Sequence, residues 1–496
     1  MLKTKIFLLS ALILCLCSSC KDFLNLVPKN ERVVSTVDDV RSELLVFWAA
    51  YTYSSVPLPS YGQSVTNLPV YNDINAHWAM YTNDLDMLRF KDHADITSKV
   101  MAYYYEDVDW KGMSLAASIW NDSYSTIGLM NTVIDDLAGI PAAPAEAQPI
   151  DGEARTIRAY CLFKLLQCFA PYHSDELGVP LNLDSENVTP GGRRSQLELY
   201  HLLEEELLEV LEYKAPRAEW NFFYSPRFIK SLLAEIYLFK AGSAAAESTD
   251  YEKAEKYSGE VIEGYTPEDR PELLTEMFSA ENIAYNTEHP YCALKLATQR
   301  YCSIGDQTTG IWGLNNAQQV SDELWSLYAP KDIRRKAWFN ETEVEGEHII
   351  YVAKPQIKSA YQSVSDILVL YRKADLYLMN AEAKCHTGKK AEAAQMLFTF
   401  RQARIPGYDT PIAEDVLSEI MTERRRELCF ENGSRWFDMK RTGSGCTRPG
   451  YDRQAEGTKT YILKADDYRF ALPIPQGSEL DYNNQLTQNP GWKDFN

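Results

Sequence analysis

Residues Tyr371 to Ala383 read YRKADLYLMNAEA, and this stretch is the clearest guide to the fold. Small residues recur at Ala374 and Ala381 with Tyr377 between them, and Gly388 follows seven positions after Ala381. Small residues where two helices cross, and a glycine that closes the first helix, are typical of tetratricopeptide hairpins. The stretch therefore predicts a helical hairpin.

The same plan occurs earlier in the chain, where Ala234, Tyr237 and Ala241 precede Gly242. Gly242 and Gly388 are 146 positions apart, so the hairpins do not form a simple 34-residue tandem array. A long insertion over about residues 265–370 separates them. It contains the strand-like stretch Tyr291–Tyr301 and loops rich in Gly, Asn and Gln.

Apolar residues recur every three or four positions in several other segments, which is the periodicity of amphipathic helices. The chain is therefore predicted to be mainly α, with tetratricopeptide-like hairpins and a mixed, loop-rich insertion. The predicted helices are Thr36–Tyr51, 115–138, 152–170, 195–214, 225–242, 250–263, Ser321–Tyr328, 371–387, 389–405 and 412–431.

Composition places the chain among globular proteins. Its 496 residues are 45% hydrophobic and 24% charged, which excludes a disordered or collagen-like protein. The formal net charge is −20. Such a field repels a polyanion, so nucleic acid is excluded as a partner.

The first residues have the pattern of a lipoprotein signal peptide. Lys3 and Lys5 precede the apolar run Ile6–Cys17, and two serines then precede Cys20. The run is too short for a membrane-spanning helix. We expect cleavage before Cys20 and lipidation of its sulfur, with ordinary cleavage that leaves a free Cys20 as the alternative. No other segment is long and apolar enough to span a bilayer, so the protein is expected to be anchored to the membrane and not embedded in it.

The remaining cysteines do not suggest a disulfide framework, because their number is odd and they are widely scattered. Two of them, seven positions apart on one predicted helix, would lie about 10 Å apart, too far to bridge. The single C-x-x-C motif belongs to the signal, so no zinc site is expected. These cysteines are Cys161, Cys168, Cys292, Cys302, Cys385, Cys429 and Cys446.

Several stretches, in this order, resemble the SusD/RagB family of Bacteroidetes outer-membrane nutrient-binding lipoproteins. The resemblance covers nearly the whole chain, and the link Asn432–Ser434 is slightly longer than usual. The matching stretches are Cys20–Leu24 with Pro28, Ala154–Phe163, Gly178–Leu181, Tyr371–Ala383, Glu423–Arg441, Leu472–Pro475 and Asn489–Trp492.

This resemblance implies an α-helical body of about four tetratricopeptide-like hairpins that supports a variable region with the ligand site. It also implies a SusC-like TonB-dependent transporter as partner, with this protein as its lid. Family members generally capture glycans, and some take peptides. The expected division is a signal peptide (1–19), an N-terminal helix and aromatic-rich segment (20–110), a hairpin scaffold (111–264), the variable insertion (265–370) and a C-terminal part (371–496).

No residue pattern predicts catalysis, a cofactor or a metal. Glu423, Glu427 and Glu431 share one helix face, and a pair of carboxylates can hydrolyse glycosides. Nearby arginines offer ion pairing instead, which keeps carboxylates ionised and poor as general acids; these are Arg424, Arg425, Arg426 and Arg435. We therefore interpret the glutamates as structural. Likewise, Asp438 and Arg441 are expected to fix a chain reversal at a domain surface.

Two aromatic-rich regions are candidates for a ligand site. A sugar presents apolar C–H faces and polar edges, which suit flat aromatic rings beside amide or charged groups. One region precedes the first long helix and the other lies in the insertion; for any single ring, core packing is an equal alternative. The candidate residues are Trp78, Tyr81, Asn83, Tyr104, Trp110, Tyr301, Trp312 and Asn315.

We therefore hypothesise a non-catalytic lipoprotein, exposed on the outer membrane, that binds an oligosaccharide and delivers it to a SusC-like transporter. Two alternatives remain. The protein could be a peptide-binding member of the same family, or a tetratricopeptide scaffold that binds only another protein.

Overall fold

The computed structural model describes residues 34–52, 78–86, 107–111, 114–186, 191–278, 290–298, 319–344, 347–352, 354, 366–452, 455 and 457–492. Helices predominate in these residues and the strands are short, which confirms the mainly α fold class. The predicted signal peptide lies outside the described residues.

Three short helices of the described residues, Pro271–Glu276, Arg334–Trp338 and Ser434–Thr442, lie outside the predicted helical segments. The other helices agree with the predicted segments to within about four residues, except that the third helix begins at Pro144 and not at 152. Pro144 occupies its first turn, where proline is tolerated, and the helix then continues through the buried Pro149. In chain order the helices are α1 Val37–Thr52, α2 Ser114–Ala138, α3 Pro144–Phe169, α4 Gln196–Leu211, α5 Pro226–Lys240, α6 Asp250–Val261, α7 Pro271–Glu276, α8 Asp322–Ser326, α9 Arg334–Trp338, α10 Lys373–His386, α11 Lys390–Arg404, α12 Val416–Glu427 and α13 Ser434–Thr442.

The long helices form hairpins that stack on one another. Short connections join α2 to α3, α5 to α6 and α10 to α11, and α4 packs against both α3 and α5. Helix α6 also packs against α10, across the insertion. The hairpins on either side of the insertion are therefore one continuous stack.

The two glycines of the repeated plan have different roles. Gly388 has φ +80, the left-handed conformation expected of a glycine that ends a helix. Gly242 does not adopt positive φ. A Cβ at Gly242 would lie 2.8 Å from the Tyr172 hydroxyl and 3.3 Å from the Arg441 carbonyl oxygen, so glycine is needed there for close approach.

Among the described residues, two of the sheets include strands of the insertion and a third is a hairpin of the C-terminal part. Strands β1, β3, β5 and β4 form one sheet in that order, β2 pairs with β6, and β7 pairs with β8, all antiparallel. Strand β2 confirms the strand-like stretch predicted in the insertion. Cys292 in β2 lies opposite Arg372 in β6, so an early part of the insertion pairs with its C-terminal end. The strands are β1 Leu85–Asp86, β2 Cys292–Thr298, β3 Gln319–Val320, β4 Phe339–Val344, β5 Glu347–Val352, β6 Asp366–Arg372, β7 Cys446–Asp452 and β8 Gly457–Leu463.

The main hydrophobic core lies among α1 to α6 and the C-terminal tail. The tail is fastened to α3, since the Leu472 N–H donates to the Cys168 carbonyl at 2.8 Å. A second core lies beneath the insertion around Trp338, which is fully buried. The helical body therefore supports the insertion through a packed interface.

The described cysteines agree with the absence of a disulfide framework. Cys161, Cys168, Cys385, Cys429 and Cys446 are free thiols, and Cys302 lies outside the described residues. Burial raises the pKa of the Cys168 thiol to about 12, as expected for an inert core cysteine. Across the described blocks, no helix has both the length and the apolar character needed to cross a membrane.

Candidate functional site

Strand β1 belongs to the first region in which the ligand site is predicted, and it pairs with β3, which follows the second region in sequence. In the β1–β3 pair, Leu85 lies opposite Val320 and Asp86 lies opposite Gln319. Strand β1 ends the block 78–86, and β3 begins the block that follows the second candidate region. Strand β1, within the first candidate region, therefore lies against the residues that follow the second region in sequence.

An arginine of α12 fastens this strand pair. Arg425 Nε donates to Asp84 Oδ1 at 2.8 Å, and its Nη1 donates to Glu323 Oε1 at 2.7 Å. The Arg425 Nη2 donates to Asn83 Oδ1 at 3.1 Å, and Asn83 Nδ2 donates to both Glu323 oxygens at 2.7 Å. Charge-assisted bonds to a planar guanidinium fix geometry as well as adding energy. We call these four residues, Asn83, Asp84, Glu323 and Arg425, the root clamp.

The start of α8 is tied to the same point. Ser321 is the N-cap of α8, and its hydroxyl accepts from the Leu324 N–H at 3.1 Å. The Ser321 hydroxyl also donates to the Asn83 carbonyl at 2.7 Å, and the Ser321 N–H donates to the Asp84 carbonyl at 2.9 Å. The helix predicted to begin at Ser321 is confirmed, and its cap also bonds to the first candidate region.

Three of the candidate rings are enclosed in the core. Trp110 is 1% exposed, and its Nε1 donates to the Arg469 carbonyl at 3.0 Å. Tyr81 packs edge-on against Trp110 with ring centroids 5.0 Å apart, and Trp78 packs against Phe437 at 4.8 Å. An enclosed ring offers no face to a ligand, so burial favours core packing for Trp78, Tyr81 and Trp110.

The other candidates divide between the clamp and the residues that are not described. The side chain of Asn83 is only 8% exposed and is engaged by the root clamp, which favours positioning over ligand contact. Tyr104, Tyr301, Trp312 and Asn315 lie outside the described residues and remain predictions from the sequence, as does lipidation of Cys20.

The glutamates of α12 are held ionised in a buried network. Although burial alone would raise it, the guanidinium groups of Arg404 and Arg372 hold the pKa of Glu427 well below its ordinary value. At Glu423 too, burial alone would raise the pKa. The guanidinium groups of Arg426 and Arg334 outweigh that effect, so the pKa of Glu423 is also lowered. A carboxylate that stays ionised cannot donate a proton as a general acid.

The partners of these glutamates are mostly not the arginines next to them in sequence. Of the predicted neighbours, Arg426 bonds Glu423, but Glu427 is bound by arginines of α9, β6 and α11. Glu431 lies beyond the end of α12, where Phe430 and Asn432 adopt positive φ. This turn aims Glu431 at Arg372, whose Nε donates to Oε2 at 2.7 Å.

Asp438 and Arg441 are structural, as predicted, but they are buried and do not lie at a surface. Asp438 accepts from Arg424 Nε at 3.0 Å and from Arg441 Nε at 2.9 Å, and Arg441 also bonds Glu382. The cavity beside them measures about 50 Å³. That volume holds a few water molecules and no oligosaccharide.

Within the described blocks, no group of three or more His, Cys, Asp or Glu side chains is arranged to hold a metal ion. The described part of the site thus consists of the root clamp and a network of ionised carboxylates paired with arginines. It is suited to presenting binding groups on adjoining segments.

Comparison with known proteins identifies two family models. The model described as the SusD family matches residues 231–492. A second model, described as "Starch-binding associating with outer membrane", matches residues 63–204. A SusD-like protein of Formosa agariphila is 35% identical over 85 residues, which is 15% of this chain and 17% of that protein's length. The match therefore spans less than a fifth of that relative.

Solved structures share the fold over almost the whole chain. A SusD superfamily protein from Bacteroides vulgatus superposes with a TM-score of 0.71 at 19% identity, covering 92% of this chain and 99% of that chain. Surface glycan-binding protein A from Bacteroides uniformis superposes with a TM-score of 0.63 at 18% identity, covering 92% and 99%. Because the first family model covers more than half of the sequence, this chain belongs to the SusD family.

Proposed function

We propose that this protein is a non-catalytic, lipid-anchored cell-surface protein that binds an oligosaccharide and delivers it to a SusC-like TonB-dependent outer-membrane transporter. The observation that carries the proposal is the pairing of β1 with β3. It holds the described residues 78–86 of the first candidate region against the residues, from Gln319 onward, that follow the second region in sequence. Binding residues are commonly mounted on segments that a rigid scaffold positions.

The residue types of the adjoining segments suit a saccharide. Tyr104, Tyr301 and Trp312 supply flat rings for C–H faces, and Asn315 supplies an amide that both donates to and accepts from hydroxyl groups. The starch-binding description of the second family model and the name of the structural neighbour from Bacteroides uniformis are in keeping with a glycan ligand.

The carboxylates support binding without bond cleavage. Glu423 and Glu427 are fully buried and paired with guanidinium groups, so neither can reach a glycosidic bond or protonate it. A bound sugar is therefore expected to leave the protein unchanged.

The test compares Trp312→Ala with Tyr482→Ala, a control at a tyrosine that is 82% exposed. Both variants and the unaltered protein are screened on an array of malto-, cello-, xylo-, manno- and galacto-oligosaccharides, and then on a peptide library. We expect sugar binding that Trp312→Ala weakens and Tyr482→Ala preserves. Binding of peptides alone supports the peptide alternative, and copurification with a transporter without any small ligand supports the scaffold alternative.

A further inference from the structure

One exposed aromatic ring lies on a fixed support outside the two candidate regions. Tyr468 is 47% exposed and begins the short 3-10 helix Tyr468–Phe470. Asp467 caps this helix by accepting from the Arg469 N–H at 3.0 Å. At its other end Phe470 is 3% exposed and packs against Trp436 with ring centroids 4.8 Å apart. The backbone that carries the exposed ring is therefore anchored in the core.

The Tyr468 ring also has a rigid backing. It lies against the backbone of Gly491, which has φ +87 and where a Cβ would clash with the ring. Trp492 meets the ring edge-on at 5.0 Å with an interplanar angle of 73°, and the Trp492 Nε1 donates to the Ala471 carbonyl at 2.8 Å. One side of the ring is therefore covered by fixed groups, and its exposed surface is held in one orientation.

Charged groups of both signs act on the Tyr468 hydroxyl, namely the guanidinium of Arg469 and the carboxylates of Asp467, Asp109 and Asp107. Arg469 Nη1 donates to Asp107 Oδ1 at 2.6 Å, and Lys111 Nζ lies 5.9 Å from the centroid of the Trp492 ring. Partial burial, with the nearby carboxylates of Asp109 and Asp107, raises the pKa of the Tyr468 hydroxyl. Asp107 and Asp109 lie at the end of the first candidate region.

We propose that Tyr468 is a stacking platform for one sugar ring of a neutral oligosaccharide, with the nearby Asp109 carboxylate to accept from the hydroxyl groups of that ring. This inference rests on the proposed function and extends its site to the C-terminal tail. A flat ring with one covered side matches the apolar C–H face of a sugar. Charges of both signs around the ring favour neither a cationic nor an anionic ligand. Hydroxyl groups both donate and accept hydrogen bonds, so a neutral sugar can bond to either kind of charged group.

The experiment measures the affinity of the full chain for the best ligand from the malto-, cello-, xylo-, manno- and galacto-oligosaccharide array. Tyr468→Ala is expected to raise the dissociation constant roughly 5- to 150-fold, by analogy with stacking of bases on aromatic side chains. Tyr468→Phe keeps the flat ring and is expected to bind like the unaltered protein. Tyr482→Ala is the control, because it removes a more exposed tyrosine for which the described residues provide no ring contact.

A further variant separates stacking from folding. Tyr468→Leu keeps apolar bulk against Trp492 but removes the flat face, so it should lose affinity while its melting temperature stays near that of the unaltered protein. Unchanged affinity in both Tyr468→Ala and Tyr468→Leu, with sugar binding intact, overturns the platform alone. If the unaltered protein binds no sugar on the array, the platform and the proposed function both fail.

Discussion

Arg404 grips both carboxylate oxygens of Glu427, its Nε donating to Oε2 at 3.0 Å and its Nη2 to Oε1 at 2.9 Å. Both side chains are almost completely buried. Arg372 of β6 and Arg334 of α9 donate to the same carboxylate at 2.7 and 3.0 Å. One carboxylate of α12 therefore ties a helical hairpin to the insertion that it supports.

Replacement of Glu427 by glutamine should be strongly destabilising. Three buried guanidinium groups would lose the negatively charged carboxylate that they share. Breaking a buried ion pair typically costs about 3–5 kcal/mol. The free energy of unfolding from urea titration measures the loss. Glu252→Gln, at an exposed position of α6, is the matched control and should change it by less than about 0.5 kcal/mol. A loss at Glu427 as small as that of the control would contradict the structural role.

The buried Lys440 should make stability depend on pH. Its Nζ donates to the Gln167 and Ala170 carbonyls at 2.5 and 2.8 Å, and burial lowers its pKa from about 10.5 to about 7. Between these pH values the unfolded chain holds the proton more tightly, so the free energy of unfolding rises with pH, by at most about 1.4 kcal/mol per unit from this group.

Lys440→Met removes this titration. Unfolding measured from pH 7.5 to 9.5 should show a shallower rise in the variant than in the unaltered protein. Lys459→Met, at an exposed lysine of β8, should leave the slope unchanged. Equal slopes in all three proteins would show that Lys440 keeps its ordinary pKa in the fold.

Trp110→Ala should cost stability. The ring is 1% exposed and packs against Trp436 with centroids 5.6 Å apart, and truncation of a buried tryptophan costs about 3–5 kcal/mol. A melting temperature that falls by several degrees is the expected result. An unchanged melting temperature with lost sugar affinity would instead return Trp110 to the ligand site.

Cys20→Ser should release the protein from membranes. Without residues 1–19 the chain has 48 basic and 70 acidic residues, a net charge of −22. The proposed lipid is therefore the group that attaches the protein to the membrane. Fractionation of cells that lack the transporter should find the variant in the soluble fraction. Recovery of the variant with the outer membrane in those cells would contradict the proposed anchor.

The helices could be predicted from the sequence because their signals are local. Ser225 before Pro226 marks the start of α5, and its hydroxyl accepts from the Phe228 N–H, as a capping serine does. Gly388 marks the end of α10 in the same way. Such signals lie within a few residues of the boundary that they set.

The partners of buried charges could not be predicted in this way. Glu427 is bound by Arg334 and Arg372, which are 93 and 55 positions away, and no local spacing relates them. The same holds for the root clamp, where Arg425 reaches Asp84 across 341 positions. The residue types suggested ion pairing, but only the stacking of hairpins and insertion decides which groups meet.

The exposure of single aromatic residues could not be predicted from the sequence either. Trp110 and Tyr468 both lie near charged residues in polar stretches, yet Trp110 is enclosed and Tyr468 is 47% exposed. Their difference arises from packing of the C-terminal tail, since Gly491 and Trp492 support Tyr468 from one side.

The most direct test of the central claim is calorimetric titration of the purified full chain with the oligosaccharide that binds best on the array, followed by chromatography of the recovered sugar. We predict a dissociation constant in the millimolar-to-micromolar range, no heat with control peptides, and a sugar recovered intact after long incubation. Binding of peptides without any sugar, or cleavage of the sugar by the unaltered protein, would contradict a non-catalytic glycan-binding protein.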